Sequence, residues 1–413
     1  MQRWGCAALI ALVAPVTAAA APLAAWVQMT ASGAEARAVV QKDGDCPSIH
    51  VDGRTRPMRL RAGPDDAFAN RICEAPLPAG ARTASVQGRA LALPKARPMR
   101  LVILGDSGCR LKDPIVQNCN DPVAGWPFAK VAHLAAARKP DLVIHVGDYY
   151  YRETPCPDGD KRCTGSPYGD RWASWKTELF DPAAPLLAAA PWVFARGNHE
   201  DCQRGAKGWF RLLDADAQPR TCPAGSDTFL VPIGGATLGV VDTADPDDSK
   251  LQPANAAVFA RNLAPLAAAK EPVWIVTHRP VWEIYRQGDR LFDTGANINE
   301  RGVVKDHGLA GVTLILAGHI HTFLSIDAAG QHPAELVVGT GGDLLDSDKA
   351  KSIATAEIAL DGAPAAKTFG MDRFGYFVFD RKGEAWEGAF HDLSDKVVAR
   401  CRLAAGRLTC EAA

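Results

Sequence analysis

The sequence predicts an α/β chain with β-rich segments at both ends, and three observations carry that prediction. Between Met99 and His321, apolar runs of strand length alternate with helix-like segments. Five of those runs end, usually through a glycine, on Asp, Asn or His. The segments before and after consist of short β-prone runs broken by turn residues. Composition is that of an ordinary globular chain, with 47% hydrophobic and 23% charged side chains over 413 residues, which excludes disorder and a many-spanning membrane protein. A formal net charge of −1 gives no basic surplus for a polyanion, so no nucleic-acid partner is expected.

In chain order, residues 1–20 read as a signal peptide. Met1-Gln2-Arg3 is a short positive start, Ala7 to Val16 is apolar, and Ala18-x-Ala20 offers a small-residue cleavage site. An uncleaved anchor is the competing reading of this stretch; cleavage would leave no stable membrane association. Residues 21–97 read as a small N-terminal β domain, with runs such as Ala36-Arg-Ala-Val-Val and Pro57-Met-Arg-Leu-Arg-Ala broken by Asp43-Gly, Asp52-Gly and Pro-rich turns. The remainder, 98–413, reads as the main α/β domain. It begins with strand Met99 to Leu104, a helix over 124–138, strand Asp141 to Val146, a helix over 171–189 and strand Pro191 to Ala195. A helix over 254–269, strand Val273 to Thr277, strand Val312 to Ala317 and a β-rich tail with a closing hairpin complete it.

Eleven cysteines are unusual, and Cys6 lies in the leader, so cleavage leaves an even ten. Pairing neighbours in sequence gives Cys46/Cys73, Cys109/Cys119, Cys156/Cys163, Cys202/Cys222 and Cys401/Cys410. No C-x₂-C or C-x₄-C spacing supports a thiolate zinc site instead. Disulfides imply a periplasmic or secreted location, and the absence of any N-x-S/T sequon leans towards a bacterial periplasm.

The strand-end motifs are Gly105-Asp106-Ser107-Gly108, Gly147-Asp148-Tyr149-Tyr150-Tyr151, Gly197-Asn198-His199-Glu200, Ile275-Val276-Thr277-His278 and Gly318-His319-Ile320-His321. Each has an ordinary reading as a turn, a helix cap or a packed histidine; five in order do not. Together they resemble the purple acid phosphatase branch of the calcineurin-like metallophosphoesterases, whose signatures are G-D-x-G, G-D-x-x-Y, G-N-H-[D/E], V-x-x-H and G-H-x-H. Ile275 stands in place of the fourth signature's Val. The resemblance covers residues 105–321 and implies a β-sandwich flanked by helices, in αββα layers.

The resemblance also implies two metals. Fe(III) would be bound by Asp106, Asp148, Tyr151 and His321, and a divalent Fe, Zn or Mn by Asp148, Asn198, His278 and His319. Where most relatives carry a ligating His in the first motif, this chain has Gly108, and Tyr151 supplies a hard phenolate suited to a trivalent ion. The implied reaction is in-line attack of a metal-bound hydroxide on a small phosphate monoester. His199 is the candidate proton donor to the leaving group, and Asn198 and His199 are candidate substrate contacts. Family members often carry a second substrate-facing His nine residues past the fourth-motif ligand; here that position is Gln287, with Arg279, Tyr285 and Arg286 nearby. A phosphodiesterase or nucleotide pyrophosphatase on the same metal core is the neighbouring reading, and a non-catalytic metal- or phosphate-binding protein the alternative of a different class. His133, His145, His307, His332 and His391 are read as packing or surface groups.

Overall fold

A computed structural model describes residues 21–216, 221–287, 290–346 and 354–413. The leader read over residues 1–20 lies outside the described residues.

Two large sheets carry the fold. The first has eleven strands; at its centre Arg100–Leu104, Leu142–His145 and Trp192–Phe194 run parallel in neighbouring register. The second has eight; there Thr237–Val240, Val273–Val276, Val312–Ala317 and Ala334–Val338 run parallel. These strands are mostly apolar because both of their faces are covered, His145 and Glu335 being buried exceptions. Leu101 and Ile103 point into one core while Val102 and Leu104 point into another. The same pleat alternation divides Trp274 and Val276 from Val273 and Ile275.

The shared core between the sheets holds Leu101, Ile103, Ile144, Leu238, Leu314 and Leu336. Behind the first sheet, Phe128, Val131 and Ala135 of helix Phe128–Ala137 pack with Leu186 of helix Ala184–Ala189. Behind the second, Phe259 of helix Pro253–Leu263 packs with Val303 and Val304 of helix Ile298–His307. The layers are therefore helix, sheet, sheet, helix, as expected.

The region before residue 97 is β-structured but shares a sheet with the α/β core. Ala24–Thr30 pairs in parallel with Trp192–Phe194, and Gly33–Gln41, Asn70–Pro76 and Arg59–Ala62 extend the sheet outward. The fully buried Arg37 guanidinium fixes this junction by donating to the carbonyls of Leu212 and Asp214. A separate four-stranded sheet, built from Ser48–Val51, Arg54–Pro57, Ala84–Val86 and Arg89–Ala90, closes its outer side.

The helix expected over 171–189 is broken into Trp172–Trp175, a π-helical turn Lys176–Phe180, and Ala184–Ala189. Pro182 lacks the N–H that a continuous helix needs. The helix expected over 254–269 runs as Pro253–Leu263 and tightens to a 3₁₀ turn over Ala264–Ala268, which contains Pro265. Helices Ala206–Leu212 and Ile298–His307 had no expectation.

All five disulfides form as paired from the sequence. Among the described residues, no helix is long and apolar enough to cross a membrane.

Glu335 sits fully buried in the second sheet and accepts the N–H groups of Val281 and Trp282 at 2.7 and 3.1 Å. Burial pushes its pKa up to about 8 from the ordinary 4.5, against the pull of those two N–H groups. Its contribution to stability is complete below the unfolded value and is lost as pH rises through the folded one. Melting temperature is expected to fall from about pH 5 to about pH 8, and Glu335→Gln to remove part of that fall, on the order of a few kcal/mol. Thermal unfolding at both pH values checks this; an unchanged difference in the variant contradicts it.

Candidate metal centre

Parallel register brings the carboxyl ends of the central strands to one edge of the sandwich. Leu104 lies opposite His145 and His145 opposite Phe194 in the first sheet, and Val276 lies opposite Leu316 in the second. The five expected motifs leave these ends.

Three of the converging residues hold left-handed backbone conformations: Asp106 at φ +55°, Asp148 at +59° and His319 at +72°. Each costs on the order of 1–3 kcal/mol and persists where surrounding contacts enforce it. Here both carboxylate oxygens of Asp106 accept the His319 N–H at 3.1 Å, and Asp148 Oδ1 accepts the His199 N–H at 2.9 Å. Gly147, at φ +102°, is required because a Cβ there would stand 2.4 Å from His278 Nδ1.

The seven expected ligand residues come together. Ligand atoms of Asp106, Asp148 and His278 lie within 4.8 Å of one another. The Tyr151 hydroxyl stands 2.8 Å from Asp148 Oδ2, 3.2 Å from Asp106 Oδ1 and 3.1 Å from His321 Nε2. Asn198 Oδ1 is 2.8 Å from His278 Nε2 and 2.9 Å from His319 Nδ1. Tyr149 and Tyr150 point elsewhere, donating to the carbonyls of Ala195 and Arg152.

Every histidine of the cluster has one ring nitrogen held from behind and the other facing the shared space. His278 Nδ1 meets the Val146 carbonyl at 2.9 Å, His319 Nε2 meets Asp248 at 3.2 Å, and His321 Nδ1 meets the Leu344 carbonyl at 2.5 Å. This is the outer support that fixes the tautomer of a metal-ligating imidazole.

The electrostatics fit cations. Burial alone would raise the Asp148 carboxyl, but the His278 and His199 rings outweigh it and hold the group well below the usual range. Burial would lower His321, yet Asp343 and Asp106 push it up to about 10. Burial and the charges of Asp148, Asp106 and Asp343 push the Tyr151 phenol well above 10. The surrounding carboxylates thus favour the protonated forms of His321 and of the Tyr151 phenol, as an anion-rich donor set does. Oxygen and imidazole donors of this kind suit two metal ions, with the phenol on the side of Asp106 and His321 and the amide on the side of His278 and His319.

His199 is buried beside this cluster, its Nε2 4.0 Å from Asp148 Oδ2 and its Nδ1 2.6 Å from Glu153 Oε1. Burial lowers its pKa below 6.5, more than Asp148 and Glu153 raise it. Its ring lies against Tyr151, 3.9 Å between centroids. Gln287 is placed differently: it is exposed at the end of strand Ile284–Gln287, and none of the described hydrogen bonds joins it to the cluster. Tyr285 and Arg286 are on the same strand. Arg279 is already engaged by Asp248 and by the carbonyls of Thr243 and Ala244. His145 packs as expected, stacked on Tyr149 with its Nε2 2.9 Å from Ser107 Oγ.

Several residues of the site escaped the sequence reading. Glu200 is wholly buried and accepts the N–H groups of Asp148, Tyr149, Tyr150 and Gly197, so the third motif shapes the second. Glu178, in the π-helical turn, accepts those of Cys109 and Tyr151. Asp343 follows strand Ala334–Val338 through Gly339-Thr340-Gly341-Gly342. That is the same handover from an apolar run through glycine to a polar ligand-type residue as in most of the five motifs, and the available signal. Glu153 and Asp248 lie in loops with no such signal.

The fold and this cluster together define a metallophosphoesterase. The chain belongs to the calcineurin-like phosphoesterase family, which matches residues 99–323. Its fold is similar to that of purple acid phosphatase PPD1 from yellow lupin (Lupinus luteus) seeds, at a TM-score of 0.56 and 14% identity, covering 94% of this chain and 74% of that one. It is equally similar to the structure of PhoD, at a TM-score of 0.55 and 12% identity, covering 95% and 92%. Comparison with curated protein sequences gives no match.

Proposed function

We propose that the chain is an exported binuclear acid phosphatase that hydrolyses small phosphate monoesters. The observation that carries this reading is the Tyr151 hydroxyl, set among Asp106, Asp148 and His321 at hydrogen-bond distance from all three. Asp106, Asp148, Tyr151 and His321 would hold Fe(III); Asp148, Asn198, His278 and His319 would hold a divalent Fe, Zn or Mn. Bound there, the two ions would supply Lewis acidity to hold a phosphate and activate water for in-line attack, and a trivalent ion would keep that activation available at acidic pH. Five disulfides support a periplasmic or secreted location.

The chain's own groups divide the remaining work. Asp148, between the two donor sets, orients both. His199, with Nδ1 against Glu153, keeps Nε2 on the side of the cluster and delivers a proton there to the departing alkoxide. Gln287, exposed at the end of its strand, remains a candidate substrate contact.

The reading is tested with p-nitrophenyl phosphate and bis(p-nitrophenyl) phosphate at acidic pH. Preferential hydrolysis of the monoester is expected; activity confined to the diester turns the reading to the phosphodiesterase. His199→Ala separates proton donation from phosphate orientation. An alkyl phosphate needs a proton on its leaving group and is expected to lose about 10²–10⁴-fold in kcat, while p-nitrophenyl phosphate loses far less. Equal losses on both substrates mean that His199 only orients.

A further inference from the structure

The two histidines of Gly318-His319-Ile320-His321 are each backed by an aspartate that an arginine clamps. Behind His319, Asp248 Oδ1 stands 3.2 Å from Nε2 and accepts from Arg279 Nε at 2.6 Å. Arg279 is fixed in turn by the carbonyls of Thr243 and Ala244 at 2.9 and 3.0 Å. Behind His321, the Asp343 carboxylate, fully buried, stands 3.6 Å from Nδ1 and accepts from Arg110 Nε at 2.9 Å and Nη2 at 2.5 Å. The Arg110 guanidinium also lies over the Tyr151 ring, 5.1 Å from its centroid. Asp248 and Asp343 come from different loops, one after Thr237–Val240 and the other after Ala334–Val338 of the second sheet, and no described hydrogen bond or ion pair joins the two triads.

We propose that these are two independent positioning devices, one for each metal: Arg279–Asp248 sets His319 for the divalent ion, and Arg110–Asp343 sets His321 and Tyr151 for the trivalent one. The inference rests on the two-metal reading above and adds a division of labour to it. A carboxylate on the outer nitrogen fixes a ligating imidazole's tautomer and orientation and strengthens it as a donor. Asp248 makes that contact directly. Asp343 works differently, because His321 Nδ1 spends its hydrogen bond on the neighbouring Leu344 carbonyl at 2.5 Å. Asp343 therefore anchors the loop that carries that carbonyl, its own N–H bonded to the Asp106 carbonyl at 2.9 Å. Arg110 neutralises the buried carboxylate and places a positive charge on the face of the Tyr151 ring, where it acts on phenolate electrons.

The test uses holoenzyme carrying iron and zinc, with two readouts besides turnover: zinc dissociation by competition with a chelator, and the visible tyrosinate-to-iron band. Asp248→Asn is expected to weaken zinc by about 10–100-fold and leave the band in place. Arg110→Gln is expected to move the band and leave zinc affinity unchanged, with Arg110→Lys, which keeps the charge, shifting it less. If Arg110→Gln does not fold, Arg279→Lys and Arg110→Lys carry the same contrast. Variants that change both readouts together, or neither, overturn the proposal. Wild-type protein that holds iron without any visible band contradicts the two-metal tyrosinate reading itself, an outcome distinct from failure of the division of labour.

Discussion

Asp148→Asn is expected to abolish turnover, by about a thousandfold or more, while the protein stays folded. In the proposed ligand map Asp148 is the one carboxylate shared by both donor sets, and it lies 2.8 Å from the Tyr151 hydroxyl and 3.2 Å from His278 Nε2. On that ligand map, removing its charge would take away the group shared by both ions, whose transition-state contribution would be several kcal/mol. The fold tolerates the change for two reasons. Asn adopts the left-handed backbone required at φ +59° more readily than most residues. Its amide oxygen can still accept the His199 N–H that Asp148 Oδ1 accepts at 2.9 Å. Phosphatase assays, metal analysis and far-UV circular dichroism on the same preparation check this. A variant with normal metal content and turnover contradicts the assignment.

Gly108→Ala is expected to cost about 1–3 kcal/mol of stability and to displace Tyr151. A Cβ at this position would stand 2.7 Å from the Tyr151 Cδ2, 2.7 Å from the Tyr149 carbonyl oxygen and 2.9 Å from Glu178 Oε1. Two of those three atoms belong to backbone or to a buried, hydrogen-bonded carboxylate, so the tyrosine ring is the group that must move. The first motif's glycine and the second motif's tyrosine are thus one device: the missing side chain makes room for the phenol. Urea unfolding and the visible spectrum measure both effects. A variant of wild-type stability and colour shows that the ring is not held by this contact. Gly108→His is expected to be worse than Gly108→Ala, since the ring's place is taken without Tyr151 leaving it.

The strand-end motifs were legible because a doubly covered parallel strand is mostly apolar along its length and stops abruptly where the chain leaves the sheet. Leu101 to Leu104 before Asp106, and Leu314 to Ala317 before His319, show that stop. What supports those motifs was much less legible. Asp248 and Glu153 come from loops whose return to the site depends on long-range packing, and Glu178 from a π-helical turn that looked like the middle of a helix. Asp343 repeated the handover pattern after Val338, but in a segment that read only as β-rich. The N-terminal strands carried no sign that Gln28 would sit opposite Trp192, because parallel pairing of distant segments leaves no local signal. The disulfides were legible because loops of 7 to 27 residues bring their own ends together. Three of them, Cys109–Cys119, Cys156–Cys163 and Cys202–Cys222, staple loops that leave the first three motifs. Gln287 was inferred from spacing to a family position, and spacing along the chain does not fix where an exposed hairpin strand lies relative to the metal centre.

The central claim is that Tyr151 is the phenolate of a ferric site in a two-metal phosphoesterase. The most direct measurement is the visible absorption spectrum of the purified wild-type protein and of Tyr151→Phe, each with its iron content determined. The account predicts a broad charge-transfer band in the wild type that disappears in Tyr151→Phe. A wild-type protein that carries stoichiometric iron and is colourless, or a Tyr151→Phe variant that keeps the band, contradicts it.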